Sequence, residues 1–322
     1  MYIHSIVAKR PKNIITNKFL EDLDIGTNES WILERTGIFE RRTILPLDYI
    51  KQTKNIDPRE AINICESNYD LGSQALLEAV SIANISINDI GLIVAGSPSP
   101  QMQNPTEAAG IANKLDIKPM CFDVTSGCTN FACQINLLRN CNFNHDYMAI
   151  INNDTLTKSV DYSDRNGSVL FGDACTVAIL SKNIPSKYYV EDSLFECDPS
   201  GFSAVRIPKY GHFSQEGNKV QKFAIQKMSE VYKRLSTNDN SYFLGHQANL
   251  LAVKSIVERN NIKNYLYNVD MFGNTAASGA ASVLADNFNS FKKEDEIIIS
   301  VCGVGLAWAG VRIKVAWYGN RL

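Results

Sequence analysis

Short apolar runs and longer amphipathic stretches alternate along this chain. The runs DIGLIVAGS (89–97), MCFDV (120–124), YMAIINND (147–154) and ACTVAILS (174–181) predict buried strands. Between them, TEAAGIANKLDI (106–117) and TNFACQINLLRNC (129–141) carry apolar residues at helical spacing, the first starting just after Pro105. The second half repeats the style. KFAIQKMSEVYKRL (222–235), QANLLAVKSIVERNN (247–261) and AASGAASVLADNF (276–288) predict helices; SYFLGH (241–246), DEIIISVCGVG (295–305) and AGVRIKVAWY (309–318) predict strands. Strands alternating with helices of this length predict an α/β protein with largely parallel, buried strands. The run SKNIPSK (181–187) is the natural seam, giving halves 1–182 and 183–322, although no internal sequence repeat is visible. Residues 44–64 have the least pattern and read as a surface excursion.

Composition narrows the class. The 322 residues are 45% apolar and 20% charged, as in globular proteins, with a formal net charge of −2. That charge gives no basic face for nucleic acid or an anionic membrane. No apolar run approaches the roughly 20 residues that span a bilayer, and the first residues lack the apolar core of a secretion signal, so a cytoplasmic location is expected. Eight cysteines are too dilute for a disulfide scaffold, and none has CxxC spacing for zinc, so no metal is expected. Cys65, Cys121, Cys133, Cys141 and Cys175 read as small buried residues.

Cys128 differs. It stands in FDVTSGCTNF (122–131), between an apolar strand and an amphipathic helix, among small polar neighbours. A helix N-terminus favours a thiolate through its free N–H groups and dipole, and Gly127 permits a sharp turn. The same placement suits a cysteine that only caps the helix. Two further motifs bear on the choice. LGHQANL puts His246 after a strand and before a helix, where open α/β sheets collect ligands. FGNTAASGAA puts Asn274 at another loop-to-helix junction. The other histidines, His4, His145 and His212, fall in a strand, a polar turn and a loop. A cysteine, a histidine and an asparagine at such junctions suggest nucleophilic chemistry.

With these motifs, the chain resembles β-ketoacyl-acyl-carrier-protein synthase III, a condensing enzyme of the thiolase superfamily. The resemblance runs through NESWILERTGIFERR (28–42), FDVTSGCTNF, DYSDRNGSVLFGDAC (161–175), GHQANLLAV, FGNTAASGAA and CGVGLAWAG (302–310), in family order. It implies a five-layered αβαβα fold of two similar halves and a homodimer. It implies that Cys128 takes an acyl group from acyl-CoA, that His246 and Asn274 hold a malonyl thioester carried by acyl carrier protein, and that the backbone N–H groups of Cys128 and Val304 form an oxyanion hole. Trp31, Arg35 and Arg165 match coenzyme A contacts, and Gly217 and Asn249 match the pantetheine tunnel. Acyl-CoA is then a substrate, and no cofactor is implied.

Several positions depart from the family pattern. Asn130 stands where glycine is usual, Cys302 where a phenylalanine borders the nucleophile, and Val304 where glycine is usual. Asn104 replaces the apolar residue that closes the partner subunit's acyl pocket, so Asn104 and Cys302 are the altered acyl-pocket positions. Gln221 replaces a tunnel phenylalanine. On the carrier-docking face Leu251 and Glu258 replace basic residues, while Lys222, Lys254 and Arg259 remain. These changes point to a specialised condensing enzyme of fatty-acid or secondary-metabolite assembly. The alternative is an acyltransferase on the same fold, passing the acyl group to a thiol, hydroxyl or amine without condensation.

Overall fold

The computed structural model describes residues 1–62, 64 and 66–316; Cys65 and the last two residues of the final expected strand lie outside the described residues. The first half runs β1 (Tyr2–Lys9), β2 (Asn13–Thr16), α1 (Asn17–Asp22), α2 (Glu29–Thr36), β3 (Glu40–Thr43), α3 (Leu47–Thr53), α4 (Asn68–Ala83), β4 (Ile90–Gly96), α5 (Glu107–Lys114), β5 (Met120–Asp123), α6 (Asn130–Asn140), β6 (Tyr147–Asp154), α7 (Arg165–Ser168) and β7 (Ala174–Ser181). The second runs β8 (Tyr188–Cys197), β9 (Val205–Arg206), β10 (Ser214–Gln215), α8 (Gly217–Leu235), β11 (Tyr242–Gly245), α9 (Leu250–Arg259), β12 (Asn264–Tyr265), α10 (Val269–Phe272), α11 (Ser278–Asp286), β13 (Glu296–Gly303) and β14 (Ala307–Val315).

Ten strands form one hydrogen-bonded sheet in the order β12-β11-β13-β14-β8-β1-β7-β6-β4-β5. Read outward from the β8/β1 join, the two sides are the same: first strand, fifth, fourth, second, third. The repeat invisible in the residues is therefore present in the topology. The join itself is short, with Tyr2 opposite Tyr189 and Ile3 opposite Tyr188. The expectation of largely parallel strands is corrected. β4 pairs in parallel with β5 and β6, and β11 with β12 and β13. The pairs β1/β7, β6/β7, β13/β14, β14/β8 and β1/β8 are antiparallel. Hydrophobicity could not tell the two apart, because strands covered on both faces read as continuous apolar runs whatever their direction.

The core is layered. α4 and α5 cover one face of the first set of strands, with Leu76, Ile111, Ile93 and Ile179 packed together. α6 and α11 lie between the two sets, and Ile135, Leu284, Ile150 and Ile299 join in one cluster. α8 and α9 close the far side through Met228, Ile256 and Ile298. These are the five layers, α, β, α, β, α. All residues of α11 from Ser278 to Leu284 are buried, which its small side chains permit between the two sets of strands.

Residues 44–64 are only in part a surface excursion: Ile56, Arg59 and Glu60 are exposed, but other residues enter the core. Ile44, Leu45, Ile50 and Ala61 belong to a buried cluster with Ile32, Tyr162 and Phe171. Buried Asn55 donates to the carbonyls of Lys158 and Val160, at 3.0 and 2.8 Å. The cysteine expectation also needs correction: Cys175 is buried, but Cys121, Cys133 and Cys141 are only half-buried.

Candidate active site

β5 ends at Asp123, and a 3₁₀ turn, Gly127–Thr129, carries Cys128 into α6. The Thr129 hydroxyl donates to the Ser126 carbonyl at 2.8 Å and tightens the turn. Gly127 has φ +55°, and a Cβ there would lie 2.4 Å from Val304 Cγ2. A Cβ at Gly303 would lie 2.8 Å from Cys128 Cβ. The glycine loop after β13 thus rests directly on the nucleophile turn, with room for no further atoms.

Asn130, the departure from glycine, is buried and bonded. Its Oδ1 accepts the Ser126 backbone N–H at 3.2 Å, and its Nδ2 donates to Asn152 Oδ1 at 2.9 Å. Asn152 donates to Gln134 Oε1 at 3.1 Å, and Gln134 donates to the Val94 carbonyl at 3.3 Å. Gly96 leaves the space for it: a Cβ there would fall 2.1 Å from Asn130 Nδ2. The side-chain amides of Asn130, Asn152 and Gln134 are thus all bonded, which offsets the cost of burying them.

His246 follows β11 and is 5% exposed; its backbone N–H bonds the Ser300 carbonyl at 2.9 Å. Its Nδ1 has no hydrogen-bond partner among the described residues. Neighbouring Gln247, which the sequence did not single out, accepts the N–H groups of Asn268 and Val269 at 3.2 Å and anchors the segment to α10. Asn274 comes from another segment, between α10 and α11. Its N–H bonds the Leu170 carbonyl at 2.8 Å, and its carbonyl accepts the Gly172 N–H at 3.1 Å. Its side-chain Oδ1 accepts the Ala276 N–H at 3.0 Å, which leaves Nδ2 free to donate.

Cys128, His246 and Asn274 all line one cavity of 280 Å³, together with Cys302, Gly303, Val304, Gly217 and Asn249. Leu170, Phe171, Phe213 and Ala248 also line it and were not anticipated. A second hollow shares Phe213, Gln215, Gly217 and Asn218 with this cavity and reaches Asp164, Asn166 and Gly167 on either side of Arg165. There the Arg35 and Arg165 guanidinium carbons each lie 4.9 Å from the Trp31 ring centroid. Arg35 and Arg165, far apart in sequence, thus meet at one indole, and the hollow that shares residues with the Cys128 cavity reaches the neighbours of Arg165.

Burial dominates the electrostatics. It pushes the Cys128 thiol up to about 12, with nearby Asp154 adding to the rise and the residue's own backbone N–H opposing it. Loss of hydration thus favours the thiol and opposes the thiolate that the sequence reading placed at a helix end. Burial lowers the His246 imidazole to about 4, so it is neutral at physiological pH. Burial also raises Asp154 to about 7 and lifts the Cys302 thiol, which Cys128 reinforces. Asp154 was missed in the sequence, where an acid ending the apolar strand YMAIINND was the available signal.

Other expected positions lie apart from the cavity. Asn104 is exposed on the loop before α5 and does not line it. Lys222, Lys254 and Arg259 are exposed on α8 and α9, and none forms an ion pair within the described residues. Leu251, 41% exposed, shares the α9 surface. No helix among the described residues is long and apolar enough to cross a membrane.

Known proteins resemble this chain in sequence and in fold. The 3-oxoacyl-[acyl-carrier-protein] synthase III sequence family matches residues 122–199, and the C-terminal model of the same family matches 232–315. The β-ketoacyl-[acyl-carrier-protein] synthase III of Clostridium botulinum strain Okra is 30% identical, over 94% of this chain and 95% of its own. That of Caldanaerobacter subterraneus is 29% identical over 94% of each chain. The crystal structure of 3-oxoacyl-[acyl-carrier-protein] synthase III from Aquifex aeolicus superposes with a TM-score of 0.84 at 25% identity, over 97% of this chain and 99% of that one. The chain belongs to the 3-oxoacyl-[acyl-carrier-protein] synthase III family.

Proposed function

We propose that this enzyme carries out a decarboxylative condensation through an acyl-cysteine. The observation that carries the reading is the convergence of Cys128, His246 and Asn274, from three separate segments, on one cavity. Trp31, Arg35 and Arg165 form a platform of the kind that takes an adenine and its phosphates. The path past Gly217 and Asn249 then leads the acyl thioester to Cys128. The free site holds a thiol, so loading needs proton removal as sulfur attacks. Neutral His246 lines the same cavity and can accept that proton. The acyl group moves from the sulfur of coenzyme A to Cys128, and the departing thiolate takes the proton.

A malonyl thioester then enters. His246 and Asn274 Nδ2 each donate a hydrogen bond to its thioester oxygen, where negative charge grows as carbon dioxide leaves. A neutral imidazole and a carboxamide are suited to this, because neither delivers a proton outright and quenches the carbanion. The carbanion attacks the acyl carbonyl, whose oxygen is met by the backbone N–H groups of Cys128 and Val304. That attack forms the carbon–carbon bond; collapse of the tetrahedral intermediate then breaks the bond to sulfur and releases Cys128 as a thiolate, which takes a proton from water. The exposed bases Lys222, Lys254 and Arg259 are the groups offered to an acidic carrier. Incubation with an acyl-CoA and a malonyl thioester should release carbon dioxide and give a chain two carbons longer. Acyl transfer to an acceptor without carbon dioxide would favour the acyltransferase instead.

A further inference from the structure

Arg41 is completely buried, yet it makes no ion pair among the described residues. Each of its three nitrogens donates to a neutral acceptor. Nε and Nη2 both reach the Val169 carbonyl, at 3.1 and 2.5 Å, and Nη1 reaches Asn17 Oδ1 at 2.6 Å. A cation in such a place is costly, and packing alone does not require one. Its stem matters too. A Cβ at Gly273 would lie 2.8 Å from Arg41 Cγ, and one at Gly172 would lie 3.3 Å from Arg41 Cβ. Those glycines flank the parallel bridge between Phe171 and Asn274. The carbonyl that Arg41 grips precedes Leu170, whose own carbonyl receives the Asn274 N–H.

We propose that Arg41 is a positioning residue for Asn274, clamping segment 169–172 so that the Asn274 carboxamide keeps its donor toward the malonyl oxygen. The Arg41 hydrogen bonds reach neither Cys128 nor Trp31, Arg35 or Arg165 themselves, so the clamp should act on condensation far more than on loading. Asn17 holds the far end of the guanidinium and is itself fixed through Nδ2 to the Ile38 carbonyl at 2.8 Å. The inference rests on the role given to Asn274 above.

The two half-reactions separate a positioning role from a general structural one. Arg41→Met and Arg41→Lys are compared with wild type and Asn274→Ala, loading being followed by intact mass and condensation by product from preloaded enzyme. Arg41→Met should load at close to the wild-type rate but condense about a hundredfold more slowly, in kcat rather than KM, as an ångström-scale misplacement produces. Arg41→Lys should recover part of that loss. Equal losses in both half-reactions, or no loss in condensation, would overturn the proposal. If neither Arg41 variant folds, Asn17→Ala carries the test. It should slow condensation alone by about fivefold, a lesser displacement of the same kind, and an unchanged or uniformly reduced enzyme overturns the clamp. Should Asn274→Ala itself condense normally, the catalytic reading fails, which is distinct from failure of the clamp.

Discussion

The two halves share one topology and use equivalent places differently. α6 and α11 are counterparts, each the middle-layer helix following the third strand of its set. Ahead of α6 stands Cys128; ahead of α11 stands Asn274. The ends of β4 and β11 are also counterparts. The first gives Gly96, whose missing side chain admits Asn130, and the second gives His246. One half therefore supplies a nucleophile on a turn braced by buried amides. The other supplies hydrogen-bond donors whose orientation is set by backbone bonds. A duplicated scaffold brings two helix N-termini to one cavity, and each half braces the other's functional segment: Val304 packs on the Cys128 turn, and Leu170 and Gly172 hold the Asn274 backbone.

That division can be broken most severely on the nucleophile side. Cys128→Ala should lose condensation by at least about a thousandfold, since no covalent intermediate can form, measured as product per enzyme at saturating substrates. The protonation state can be read on the same residue. Because burial holds the thiol near 12, alkylation of Cys128 by iodoacetamide should quicken about tenfold per pH unit from 7 to 10. A plateau near pH 7 would mean the helix end prevails after all. On the donor side, His246→Ala and Asn274→Ala should each cost about a hundredfold or more in condensation, as loss of one oxyanion donor does. The Asn274 variant should still load normally. The His246 variant should slow loading as well if His246 takes the thiol proton. The mildest change lies outside both halves of the site. Trp31→Ala should raise KM for acyl-CoA about tenfold with kcat held, the scale of one lost stacking partner.

Much of this was readable in the residues, for physical reasons. Strands such as ACTVAILS are apolar throughout because both faces are covered, and their positions followed directly. The Cys128, His246 and Asn274 segments stood out because small polar residues interrupt apolar runs at strand and helix ends. Strand direction was hidden, since burial on both faces erases alternation. The core under residues 44–64 was hidden because Ile44, Leu45 and Ile50 are too few for a period, and Asn55 is held by carbonyls a hundred residues away. The duplication was hidden because topology, not residue identity, carries it. Burial reversed the sequence argument for a thiolate, because a dipole is a local feature of sequence whereas desolvation belongs to the assembled cavity.

The central claim is that Cys128 carries the acyl group between two substrates. Intact-mass analysis after incubation with a panel of acyl-CoAs, followed by peptide mapping, tests it directly. The account predicts one acyl adduct, on Cys128, that disappears when a malonyl thioester is added and is absent from Cys128→Ala. An adduct on Cys302 or elsewhere, or none with any acyl-CoA while product still forms, would contradict it.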